Sequence, residues 1–200
     1  MPSLAEITAS VLAFWFERDI VPGLCDYRPI WFDRVDEGFD AEIRRRFLGT
    51  YERAAAGAFD LAVRSADEAL AVTIVLDQFP RNMFRGTARQ YASDAKALGM
   101  ARRALAEGFD RDLPPIRRWF LYMPFQHSEG LADQRRSVAL LRALGTEPIQ
   151  QRVIESAQLH LRIIERFGRF PHRNQLLGRA SSDEELQFLA NFKHHHLGNN

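Results

Sequence analysis

Between Phe167 and Asn174 the chain reads Phe-Gly-Arg-Phe-Pro-His-Arg-Asn, a run of eight residues that sets two guanidinium groups, an imidazole and a carboxamide around a Gly and a Pro. Arg169 and Arg173 suit an anion, because a guanidinium forks two N–H donors onto a carboxylate or phosphate. Asn174 can orient a bound group, and His172 titrates where proton transfer near neutral pH is feasible. The core of the pattern recurs as Phe79-Pro80-Arg81-Asn82, with Arg85 three residues on. Two such turns raise the expectation of one shared site.

Other polar residues fall near them in type and place. Asp77 follows Thr73 by four residues and Leu70 by seven, so it shares their inward helix face and needs a partner once buried. Arg81 and Arg85 are the near candidates. They either pin the turn after Pro80 as ion pairs or are themselves aimed by the carboxylate at a ligand. His127 and Glu129 flank Ser128, expected to cap a helix, and Asp133 lies four residues beyond Glu129, which puts both carboxylates on one face. An acidic pair beside a His can supply an acid and a base or hold a cation. The same residues equally serve as first-turn acids favoured by the helix dipole. His160 falls on the apolar stripe of Val153, Ala157 and Ile164 and should point inward, as a hydrogen-bonded core residue or a site residue. Arg173 and Asn174 are also apt to satisfy carbonyls at a helix end.

These residues need a scaffold, and the spacing predicts one that is helical nearly throughout. Capping boxes at Ser3/Glu6, Ser65/Glu68 and Ser182/Glu185 open three helices. Apolar residues at helical spacing place the first over about residues 3–17 and a long second over 36–56 on Phe39, Ile43, Phe47 and Tyr51. The third, through Ala69 to Leu76, is apolar almost all round and should be central, with Pro80 helping to end it. A fourth spans about 93–107. A fifth opens at Pro114-Pro115 and is closed by Pro124; a sixth runs from Ser128 to Leu144; a seventh from Glu147 to the Gly168 stop; the eighth follows Ser182. Pro22, Gly23 and Pro29 mark a loop between the first two. The fold class expected is all-α: about eight helices in antiparallel hairpins, as a closed bundle or a curved stack. The chain reads as a single domain over residues 1–193 with a frayed tail at 194–200, where His194-His195-His196 carries no functional weight.

Composition narrows the function classes. With 200 residues and 46% hydrophobic content the chain can bury a core without disulfide or metal staples. Cys25 is the single cysteine, no signal-like segment opens the chain, and no apolar run reaches the roughly 20 residues of a membrane helix, so a cytoplasmic protein is expected. The formal charge of +1 argues against a nucleic-acid partner. Of 27 basic residues only Lys96 and Lys193 are lysine, a skew that reflects either anion recognition or codon usage. No His-Glu-x-x-His or Glu-x-x-His spacing supports a metal and no glycine-rich loop a phosphate; as nucleophiles, Cys25 lies in an unpatterned loop and Ser128 reads as a cap without an evident base-orienter set. No cofactor is expected.

The blocks from Asp77 to Gly86, Tyr122 to Gln134 and Phe167 to Arg179, with Trp31-Phe32 and Phe39-Asp40 before them, resemble over nearly the whole chain a bacterial family catalogued as domain of unknown function 924. The resemblance implies a tetratricopeptide-like helical array and no assigned activity. Residue types then suggest a pocket for a small anionic or polar ligand. Asp77, Arg81, Asn82, Arg85, Asp133, His160, Arg169, Arg173 and Asn174 are its expected lining, and His127, Glu129 and His172 its proton-transfer groups. Whether a reaction follows binding is open, hydrolysis being the class these groups suit. The alternative from a different class is a non-enzymatic scaffold that binds peptides in a groove, and an oligomer is compatible with either. In a third reading the motifs serve folding alone.

Overall fold

The chain is seen here as a computed structural model that describes residues 2–16, 28–32, 35–145 and 148–191. Among these residues it is all-α, with no strand and with eight α-helices: α1 (Leu4–Phe16), α2 (Glu37–Ala55), α3 (Ala66–Met83), α4 (Asp94–Ala106), α5 (Pro115–His127), α6 (Leu131–Arg142), α7 (Pro148–Phe167) and α8 (Asp183–Asn191). Four short 3-10 turns join them, including Ala88–Tyr91 before α4 and Pro171–Arg173 before α8. The expected loop around Pro22, Gly23 and Cys25, the start of the seventh helix at Glu147 and the His194-His195-His196 tail lie outside the described residues. No described helix is long and apolar enough to cross a membrane.

Every side chain of α3 from Ala69 to Arg81 is buried, which follows from its apolar circumference: helices α1, α2, α4 and α5 all pack on it. Beyond it α5 packs on α6 and α6 on α7. An aromatic nest fills the space between α1, α3 and α5, with Trp15, Trp31, Phe79 and Phe120 at centroid distances of 4.7 to 5.9 Å in stacked or edge-to-face pairs. Arginines cover the rim of this core. Arg46 lies 4.9 Å over Phe14, Arg53 4.9 Å over Phe59 and Arg89 4.0 Å over Phe84. Much of the Arg skew thus goes into planar cover for ring faces.

Two proline expectations are corrected. Neither Pro80 nor Pro124 ends its helix: α3 continues to Met83 and α5 to His127. A proline inside a helix leaves the carbonyl four residues back without its N–H. In α3 that carbonyl belongs to Leu76, and the Ser93 hydroxyl donates to it at 2.6 Å. The helix persists because the lost bond is replaced from α4. Arg81 and His127 therefore stand on helices instead of in loops.

The sixth helix also starts later than expected, at Leu131 with Gly130 as N-cap. Ser128 does not cap it; its hydroxyl donates to Asp133 at 2.8 Å and accepts from Gly130 N. Glu129 is consequently outside the helix, and the proposed face shared with Asp133 does not exist.

Candidate functional site

The centre of the polar interior is Asp77, wholly buried on α3. Its Oδ1 accepts from His127 Nδ1 at 2.7 Å and its Oδ2 from Gln78 Nε2, while Arg81 Nη1 stands 3.5 Å from Oδ1. Arg81 then forks onto Asp94 of α4 at 2.9 and 3.1 Å. Arg173 reaches the same carboxylate at 3.3 Å and donates to the His127 carbonyl at 3.1 Å. The Arg173 guanidinium lies between two rings, 4.5 Å from Tyr91 and 4.4 Å from Phe170. Residues from α3, α4, α5 and the Pro171–Arg173 turn thus form one connected cluster.

Its protonation follows from burial and charge. Burial pushes the Asp77 carboxyl up, but the His127 ring and the Arg81 guanidinium outweigh it and hold its pKa at about 2. Burial, reinforced by Arg81, lowers the His127 pKa despite the Asp77 carboxylate. The pair is therefore an ionised carboxylate and a neutral imidazole. An ionised carboxylate only accepts, so Nδ1 carries the proton and Nε2 keeps its lone pair. Among the described residues His127 Nε2 has no hydrogen-bond partner, nor do Arg81 Nε and Arg173 Nε, all three fully buried atoms.

His160 points inward as expected. Its Nδ1 lies 2.8 Å from the Ser156 carbonyl, which requires a proton on that nitrogen, and its ring meets Phe170 edge-on at 5.4 Å. Burial is the main cause that takes its pKa down to about 3, so it too is neutral. Gln126 lies alongside, 3.1 Å from Ser156 Oγ.

The remaining expected lining residues are engaged elsewhere. Asn82 and Arg85 both bind Asp40 of α2, at 2.7 and 2.9 Å, and tie α2 to the end of α3. Asp133 is held by Ser128 and by Arg102 at 2.6 Å. Glu129 accepts from Arg179 at 2.7 and 3.0 Å and from the Phe170 amide at 2.8 Å. Burial opposes ionisation of Glu129, yet these donors lower its pKa, so it is a fixed anion. Arg169 forks onto Glu185 at 2.7 and 2.8 Å, and Asn174 donates to Glu185 and Ser181. His172 packs against Phe170 at 5.4 Å. Of the twelve residues named from sequence, Asp77, Arg81, His127 and Arg173 converge, with His160 behind them; the shared anion cradle of Arg81, Arg169 and Arg173 does not form.

Sequence reasoning passed over Asp94, Tyr91 and Gln78, and Asp40 as the partner of Asn82. Asp94 follows Ser93 at a helix start, where an acid is expected from the dipole alone, so nothing local marks it as the hinge of a buried network. Among the described residues no three His, Cys, Asp or Glu side chains stand as a metal-binding group.

Comparison places this architecture. The model of a family described as bacterial protein of unknown function (DUF924) matches residues 11–192. The chain belongs to that family. A solved relative within reach, the structure of a protein of unknown function, ATU0120, from Agrobacterium tumefaciens, is 37% identical with a TM-score of 0.83 over 95% of this chain and 100% of that one. No curated protein matches. The DUF924 membership and this relative agree on the fold and name no activity.

Proposed function

We propose that the protein binds a small polar ligand at the Asp77–His127–Arg81–Arg173 cluster, with His127 Nε2 as the group that accepts a proton from it. The observation that carries this is the set of three buried nitrogens without partners: a lone pair on His127 and N–H donors on Arg81 and Arg173. Buried polar atoms are nearly always satisfied, and each exception calls for an explanation, a bound group being one. Charge decides between the anionic and the neutral option. Two arginines, Arg81 and Arg173, face two carboxylates, Asp77 and Asp94, and His127 is neutral, so the cluster has no excess positive charge to hold an anion. The complement of two donors and one acceptor is a neutral group that joins a carbonyl-type acceptor to an N–H or O–H, as in a carboxamide or a hydroxy compound.

A neutral imidazole with Nδ1–H held by a carboxylate and Nε2 free is the arrangement of a general base. When water is the proton donor the reaction served is hydrolysis. The groove-binding alternative draws no support from the same residues, since Arg173 and Asn174 are buried instead of lining an open surface.

The test is titration of the 15N-histidine-labelled protein with a panel of small amides and hydroxy compounds against inorganic phosphate and acetate. A neutral compound should shift the His127 Nε2 resonance, and Arg81→Met should abolish the shift. If phosphate shifts that resonance and no neutral compound does, the proposal is wrong.

A further inference from the structure

Asp77, His127, Arg81 and Arg173 are all buried, so any molecule that meets His127 needs an element to move, and the bonds single one out. Residues 169–177 lie between Gly168 and Gly178, both in the left-handed region at φ 68° and 64°, where glycine turns freely. This segment carries Arg173 into the cluster; besides the bonds of Arg169 and Asn174 to Glu185 of α8, it is held by the buried Phe170 and by polar bonds at two places. Glu129 holds it at one end through the Phe170 amide and Arg179, which itself donates to the Phe170 carbonyl at 3.1 Å. Arg173 holds it at the other through Asp94 and the His127 carbonyl. Its apolar anchor, Phe170, packs with Ile163 and Ile164 of α7 in a small cluster separate from the main core. The two arginines on Asp94 are also unequal: Arg81 grips it at 2.9 and 3.1 Å and Arg173 at 3.3 Å. Asp94 keeps a counter-charge when Arg173 leaves, so the exchange strands no carboxylate.

We infer that residues 169–177 are a charge-latched lid over the His127 cluster, with Glu129 as the latch and Arg173 as the plug. The lid rests on the ligand-binding reading for its purpose but not for its existence. In the open state Arg173 leaves the Tyr91 ring, Asp94 and the His127 carbonyl, and the cluster keeps Asp77, His127, Arg81 and Asp94 in place. One free guanidinium then remains on the lid to close over whatever has entered, which couples binding to closure.

Hydrogen exchange of the full chain tests this without a ligand. Amides of residues 169–179 should exchange through a local opening while those of α3 and α5 wait for global unfolding. Glu129→Gln should speed exchange of 169–179 at least about tenfold, because charge-assisted bonds to Arg179 are lost, and leave α3 and α5 unchanged. High salt should do the same to the unmodified chain, which keeps the test available if the variant folds poorly. Carbethoxylation of His127 should accelerate in step. If 169–179 exchange only together with α3 and α5, or if the lid opens faster with no gain in His127 reactivity, the inference fails. A failed ligand titration leaves it standing, and its own failure leaves the polar-ligand reading standing.

Discussion

Replacing Asp77 by Asn changes the cluster by one charge at nearly constant volume. Asp77 accepts from His127 Nδ1 at 2.7 Å and from Gln78 Nε2, and Arg81 Nη1 stands 3.5 Å away. An Asn side chain keeps one acceptor and turns its NH2 toward one of these donors. Removing one member of a buried charge pair costs about 3–5 kcal/mol. Arg81 retains its fork onto Asp94 at 2.9 and 3.1 Å, which sets the expected loss at the lower end, about 3 kcal/mol. For a chain of this size that is a fall in Tm of about 6–12 °C. Urea denaturation followed by circular dichroism measures the first quantity and a thermal scan the second. The same variant should reverse the His127 tautomer where the Asn NH2 faces it, moving the proton from Nδ1 to Nε2, which 15N NMR reads directly. A stability loss below about 1 kcal/mol with an unaltered tautomer refutes the assignment of Asp77 as an ionised hub, since surface-like changes fall in that range.

Acid should destabilise the fold well above the carboxylate range. His160 has a pKa of about 3 in the fold against an ordinary value of 6.5, so the unfolded chain binds the extra proton between those values. Its contribution is fully present above pH 6.5 and is lost as pH falls toward 3, at about 1.4 kcal/mol per unit, or about 2 kcal/mol between pH 7 and 5. His127 acts in the same direction because its pKa is also lowered. Urea titrations at the two pH values check this, and His160→Gln should flatten the profile. Ser93→Ala frees the Leu76 carbonyl above Pro80 and should cost about 1–3 kcal/mol in the same assay; a neutral result removes the account of how α3 tolerates its proline. Asp40→Asn should cost about 1–2 kcal/mol by weakening its hold on Asn82 and Arg85, and a double-mutant cycle with Arg85→Met should show coupling.

Helix periodicity was enough to place α3 at the centre, because a helix apolar on all sides can only be surrounded, and the Ser65/Glu68 box located its start. His160 was legible for the same reason: it sits on an apolar stripe. The prolines misled because their effect depends on a partner distant in sequence, Ser93 for Leu76, which no local pattern reveals. The site was half legible on the same principle. Residue types at Asp77, Arg81, His127 and Arg173 announced charge and hydrogen bonding, but type does not say who answers whom. Glu185, visible only as a capping residue, takes Arg169 and Asn174; Asp40 takes Asn82 and Arg85. Under the proposed ligand-binding reading, Asp94 sets the charge that a ligand would meet. Counted without it, Arg81 and Arg173 exceed Asp77 by one positive charge and call for an anion; counted with it, the cluster is neutral and its open valences are hydrogen bonds alone. An anion bound there must first displace a carboxylate that Arg81 grips with two bonds, whereas a neutral ligand has only to displace the longer contacts of Arg173.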